Sequence, residues 1–78
     1  MGRELGRYAE AIGALQECLE STGPRERGRV VILEELSRAA GSQGMLREAA
    51  AWRRDALTIA RQIGDAELVR RLVALARE

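Results

Sequence analysis

From position 6 onward, apolar side chains return every three or four residues between charged ones, and three short glycine-bearing interruptions cut the pattern into four stretches. Tyr8, Ile12, Leu15 and Leu19 step by four, three and four, which is one face of an α-helix over residues 6–21. Ala11 and Cys18 widen that face with small side chains, so Ala11 is expected at a close helix crossing and the Cys18 thiol in the interior, inert. The first five residues are too few for an element of their own and either fray or extend this helix. Ser21-Thr22-Gly23-Pro24 then combines a stop with a start: Gly23 can take the left-handed terminating conformation, and Pro24 suits a first helical turn.

A second helix is predicted over 24–40, with Val30, Leu33, Leu36, Ser37 and Ala40 on one face and Val31 and Ile32 broadening it. The Val-Val-Ile-Leu run lacks strand alternation and lies in an Arg/Glu-rich stretch, which favours helix. Gly41-Ser42-Gln43-Gly44 is a polar turn of the length that joins antiparallel neighbours. The third helix, over 45–63, carries Met45, Ala49, Trp52, Ala56, Ile59, Ala60 and Ile63, with Leu46, Ala50 and Leu57 alongside. Gly64 can close it, and Asp65 can cap a fourth helix, within 65–77, whose apolar set is Leu68, Val69, Leu72, Val73, Leu75 and Ala76. The fold class is therefore all-α: four helices joined by tight turns in one domain spanning 1–78.

The first and third stretches echo one another. Set GMLREAAAWRRDALT beneath GRYAEAIGALQECLE, and Gly44 falls on Gly6, Glu48 on Glu10, Ala49 on Ala11 and Leu57 on Leu19. Tyr8 meets Leu46, Glu17 meets Asp55 and Cys18 meets Ala56. The offset is 38 residues, inside the range of periods that mark stacked repeats.

Composition narrows the function classes. A formal net charge of +1 is too balanced to argue for nucleic acid or a charged membrane surface. Every basic residue is arginine, and Lys, His, Asn and Phe are absent, as in proteins coded by GC-rich bacterial genomes. One cysteine cannot form an internal disulfide, and no apolar run reaches the roughly 18–20 residues of a membrane span, so a soluble cytoplasmic protein with no membrane partner is expected.

Without histidine, and with one thiol, a catalytic diad or zinc site would need unusual ligands. Glu34-Glu35 and Glu17 with Glu20 could pair as carboxylates, but a solvated helix face is the simpler reading where 32% of residues are charged. Gly41-x-x-Gly44 lacks the lysine and the strand of a phosphate loop. Trp52 at helical spacing reads as core or interface. No catalytic, cofactor-binding or metal-binding residue is assigned, and no enzyme activity is expected.

The repeated unit resembles the tetratricopeptide repeat, a helix A–turn–helix B hairpin stacked into a right-handed superhelix. Gly6-Arg7-Tyr8-Ala9-Glu10-Ala11-Ile12 and Gly44-Met45-Leu46-Arg47-Glu48-Ala49-Ala50 fit the start of that family's helix B, with small residues seven apart at Ala11/Cys18 and Ala49/Ala56. Leu33, Leu36, Ser37 and Ala40 sit at its helix-A positions, with Ser37 in the glycine slot, and the fit covers most of the chain from Gly6 onward. The period exceeds the usual 34 by about one helical turn, and Ile63-Gly64-Asp65 looks like the turn of the longer bacterial repeats. Arg53 departs from a large apolar position, which Trp52 can fill.

The resemblance implies a helix B over 6–21, one full repeat over 24–63 and a terminal helix over 65–77, as antiparallel hairpins in a short α-solenoid. It implies a non-catalytic protein–protein interaction or oligomerisation module, taken from a bacterial scaffold or regulator, that needs no cofactor and takes a protein or peptide partner. Glu34, Arg38 and Arg70 fall near positions that face the concave groove in that family, where an acidic peptide would bind. No full helix A precedes Gly6, so Tyr8, Ile12, Leu15, Leu19, Leu68, Leu72 and Leu75 are expected to exceed what neighbouring helices can cover and to drive self-association, most simply as a two-fold homodimer. The alternatives are a self-assembling helical bundle, natural or designed, and nucleic-acid binding through an arginine face, against which the near-zero net charge argues.

Overall fold

Four helices form where the periodicity places them: α1 (Gly2–Glu20), α2 (Arg27–Ser42), α3 (Leu46–Ile63) and α4 (Ala66–Ala76). The computed structural model describes the backbone of residues 2–77 and the side chains of residues 6–77, and no strand occurs among them. Residues 2–5 extend α1 rather than standing apart.

The helix ends show which local signals acted. At the end of α2, Gly44 takes φ 76°, its N–H reaches the Gly41 carbonyl at 3.1 Å, and the Met45 N–H reaches Ala40 at 2.9 Å. At the end of α3, Gly64 (φ 72°) and Asp65 bond back to Arg61 and Ala60 at 3.2 and 3.0 Å. Both are the doubly bonded left-handed stop that glycine adopts without steric cost. Gly23 does not take this conformation, contrary to expectation. The α1 carbonyls are instead satisfied by side chains: Thr22 Oγ1 and Arg29 Nη1 donate to the Leu19 carbonyl at 2.9 and 3.1 Å, and Ser21 Oγ donates to Cys18 at 3.0 Å. Pro24 likewise lies in the connecting turn, and α2 begins three residues later.

The α2–α3 pair makes the most extensive helix contact; α1 packs on α2 and α4 on α3. The α3 side of the central seam is small: Ala49, Ala56 and Ala60 are all buried, against Val30, Leu33, Leu36, Ser37 and Ala40 of α2. At the crossing, Ser37 Oγ donates to the Ala49 carbonyl at 2.8 Å, so the hydroxyl in the glycine slot ties the two backbones together. Leu68 and Leu72 close the core from α4, while Ile12, Leu15 and Leu19 of α1 reach it as half-buried side chains.

Two expectations about α1 are overturned. Ala11 and Cys18 are exposed, because α1 meets α2 with the Tyr8/Ile12/Leu15/Leu19 side and turns the adjoining small-residue side outward. Two of the residues expected to drive self-association are also unavailable for it: Leu68 and Leu72 are each 1% exposed within the monomer. The α4 register points them down into the α2–α3 core.

Asp65 holds the α3–α4 corner. Its Oδ1 accepts from the Leu68 N–H at 3.1 Å, the N-cap bond expected of it, and its Oδ2 accepts from Arg27 Nε at 2.9 Å, tying the start of α4 to the start of α2. The Arg27 hydrogen bond and then the Leu68 N–H hold the Asp65 carboxyl below its ordinary range, and the same contact raises the Arg27 guanidinium.

Because Ala49 is 6% exposed and Ala11 is exposed, the two echo positions respond differently to enlargement. Ala49→Leu is expected to destabilise by about 1–3 kcal/mol through overpacking, and Ala11→Leu by less than about 0.5 kcal/mol, in chemical denaturation. Since folding lowers the Asp65 carboxyl, its contribution is fully present above the ordinary carboxylate pKa, about 4, and is lost as pH falls through the lower folded value. Asp65→Asn should therefore cut stability at neutral pH and flatten the acid limb of a pH–stability curve.

Candidate functional site

A broad concavity lies where the end of α2, the start of α3 and the end of α4 meet. It is an open groove of about 660 Å³ with a floor of small residues, Ala49, Ala50 and Ala76, walled by Leu46 and Leu75 and flanked by Arg38 and Arg53. A second groove of about 270 Å³ continues from it between α3 and α4, sharing Ala50, Arg53 and Ala76 and adding Arg54, Leu57 and Val73. A third depression of about 370 Å³ on the outer side of α4 meets the second at Val73 and carries Arg70 and Arg77. Among the described residues, five guanidiniums line this connected surface and no carboxylate does. Leu46 is 71% exposed at the mouth, an apolar side chain that the monomer leaves largely in water.

The helices set this arrangement through register. Leu46, Ala50, Arg53 and Leu57 are spaced four, three and four along α3, so they share one face, adjacent to the Ala49/Ala56/Ala60 face that meets α2. Arg53 stands where the echo has Leu15, so a charge occupies the position that α1 uses to pack on α2. That exchange is what keeps this groove open.

One ion pair runs from the surface into the interior, its arginine 42% exposed and its carboxylate buried. Glu34 is 1% exposed, not on a solvated face as expected, and Arg71 Nη2 donates to its Oε1 at 2.6 Å. Arg38 approaches the other oxygen only to 3.9 Å, and Glu34 Oε2 has no hydrogen-bond partner. Glu35, its neighbour in sequence, points outward, 3.9 Å from Arg38. Glu34 is buried because it lies on the wide α2 face covered by both α3 and α4; the 38-residue echo pairs it with Leu72, also buried. That pairing was the signal available in the sequence.

The residues expected in a peptide groove are thus distributed over three places. Arg38 flanks the main groove, Arg70 lies in the outer depression on α4, and Glu34 is under the surface paired with Arg71. Arg53 and Arg54 were not assigned to the site and line its centre. Among the residues expected to self-associate, Tyr8 donates its hydroxyl to Met45 Sδ at 2.9 Å, and Ile12, Leu15, Leu19 and Leu75 remain half-buried. Trp52 is half-buried too, beside Leu19, Leu33 and Ile59 at the opposite edge of α3.

No group of three metal-ligating side chains converges among the described residues, and no helix is long and apolar enough to cross a membrane. Comparison with protein-family models, curated proteins and solved structures returned no match.

Removing Arg71 would leave a buried carboxylate without its donor. Arg71→Ala is expected to cost about 1–3 kcal/mol, whereas Glu34→Leu with Arg71→Met should be neutral or stabilising. Urea titrations of wild type and both variants give these values directly.

Proposed function

We propose that the chain is a non-catalytic protein–protein interaction module built from tetratricopeptide-like helical hairpins, with the groove across α3 and α4 as its partner-binding surface. The observation that carries this reading is the connected run of five arginines, with no carboxylate among the described residues, around a floor of alanines and exposed leucine. An alanine floor lets a partner backbone approach closely, and guanidiniums on the flanks favour carboxylates on the incoming segment. The partner chemistry that fits is an amphipathic helical segment with leucine-type anchors between acidic residues. Succession supports the hairpin arrangement: α1 packs on α2, α2 on α3 and α3 on α4, the neighbour-to-neighbour packing of a repeat array.

The surface area is consistent with an open module. The chain exposes 5495 Å², where a closed monomer of this mass would expose about 4,700 Å². Its extents, 41 × 29 × 16 Å, are those of a slab.

Fluorescence anisotropy with a panel of peptides placing leucine and glutamate at helical spacing tests the reading. Binding is expected to weaken with added salt and to fall at least about tenfold in Arg53→Glu/Arg54→Glu, a loss of roughly 1.4 kcal/mol or more. Retention of DNA or RNA in place of any acidic peptide, abolished by the same substitutions, would assign the groove to nucleic acid instead.

A further inference from the structure

The echo between α1 and α3 makes one surface of this molecule a template for another. In α3, Ala49 and Ala56 are buried against α2: the Ala49 carbonyl accepts from Ser37, and Ala56 shares one cluster with Leu33 and Leu36. Their counterparts 38 residues earlier, Ala11 and Cys18, are exposed. The counterparts of Leu36 and Ser37 on α4 are Ala74, exposed, and Leu75, half-buried. The chain therefore displays, unpaired and at opposite ends, both halves of a contact that it makes internally between α2 and α3.

Charge separates the two ends in the complementary sense. From Gly6 to Glu20, α1 has the carboxylates Glu10, Glu17 and Glu20 against Arg7 alone. From Ala66 to Arg77, the α4 segment has Arg70, Arg71 and Arg77 against Glu67 alone. Glu10 and Glu17 lie seven residues apart, beside Ala11 and Cys18, so they border the same exposed face. Two α1 faces set together would oppose acid to acid, and two α4 faces base to base; α1 against α4 opposes acid to base.

We infer that a second copy of this chain docks head to tail, its α1 laid on α4 as α3 is laid on α2, with Ala11 at Leu75 and Cys18 two turns further toward the start of α4. The inference rests on the interaction-module reading above and names one partner for it. The contact is heterologous: each copy gives a different surface, so both ends stay available and assembly continues past the dimer. This departs from the two-fold dimer expected from sequence, which would pair like-charged ends and, if made through α4, would need Leu68 and Leu72, both already buried.

Sedimentation velocity on wild type and end-blocked chains tests the inference. Wild type is expected to grow beyond dimer as concentration rises, more strongly at low salt. Ala11→Arg/Cys18→Arg blocks one end and Ala74→Arg the other; all three positions are exposed, so circular dichroism and the thermal midpoint should stay near wild type. Each blocked chain alone should be monomeric, and an equimolar mixture should form a one-to-one dimer and stop there. A covalent readout independent of the arginine variants uses Ala11→Cys with Leu75→Cys in a Cys18→Ser background, which sets one new thiol opposite the other. Mild oxidation of the folded protein should give a ladder of disulfide-linked trimers and longer chains that a thiol reductant dissolves and that does not form when oxidation is carried out in denaturant, whereas wild type gives none beyond dimer. A wild-type monomer at high micromolar concentration overturns head-to-tail docking, as does a dimer that mixing the blocked chains fails to restore. If the monomer still binds the acidic peptides, the interaction-module reading survives; if it binds neither copy nor peptide, that reading falls with it.

Discussion

Everything in this fold depends on how closely α2 and α3 approach. Ala49, Ala56 and Ala60 give α3 a flank with almost no side-chain bulk, and the larger residues of α2, Val30, Leu33 and Leu36, fill the space from the other side. Such a seam is intolerant of added volume on its α3 side, because the alanines there have no side chain that can move aside. The Ser37-to-Ala49 hydrogen bond then fixes the sliding register, and the Gly44 turn fixes the return angle. With that pair set, α1 needs only to lay Ile12, Leu15 and Leu19 against it, and α4 only Leu68 and Leu72.

Glu34 shows the same seam from its polar side. A fully packed α2 face would carry an apolar residue at this position, as α4 does at Leu72 in the echo. The carboxylate gives up hydration and recovers one short hydrogen bond from Arg71, leaving Oε2 without a donor. By free energy alone such a pair is close to break-even or worse. What it does supply is direction: Arg71 must face α2, which turns Leu68 and Leu72 into the core and leaves Val73, Ala74 and Arg70 outward. Asp65 acts in the same sense at the other end of α4, through Arg27. Two ion pairs thus set the rotation and placement of the shortest helix, and the arginine-lined surface follows from that rotation.

Helix number, order and most boundaries were legible in the sequence because they are set by local periodicity and by glycine at Gly44 and Gly64, which act within a turn of themselves. Gly23 misled, since a helix can also end on hydroxyls and a guanidinium, and Arg29 lies ten residues beyond the carbonyl it caps. The inward side of α1 was legible at Ile12, Leu15 and Leu19, but its width was not: Ala11 and Cys18 adjoin that face and are small and apolar, yet the partner helix takes only the larger side chains. Of the groove, Arg38 was legible from its helix-A position, while Arg53 and Arg54 were passed over. Periodicity ranks residues by apolar match, and these two matter because they break it.

The ends of the slab are held unequally, and this ties stability to function. No described side chain of α1 is fully buried, whereas α4 has two, and α2 has six. In a chain whose helices pack in succession, local opening costs roughly what the nearest-neighbour contact supplies, so α1 opens at lower free energy than the central pair. A surface that docks by repeating an internal contact gains from this placement. The helix offering Ala11 and Cys18 can settle on a partner without disturbing Ala49 and Ala56, the buried pair it reproduces, because its own hold on the core is limited to Ile12, Leu15 and Leu19. The rigid half of the echo keeps the fold, and the loosely held half remains free to bind.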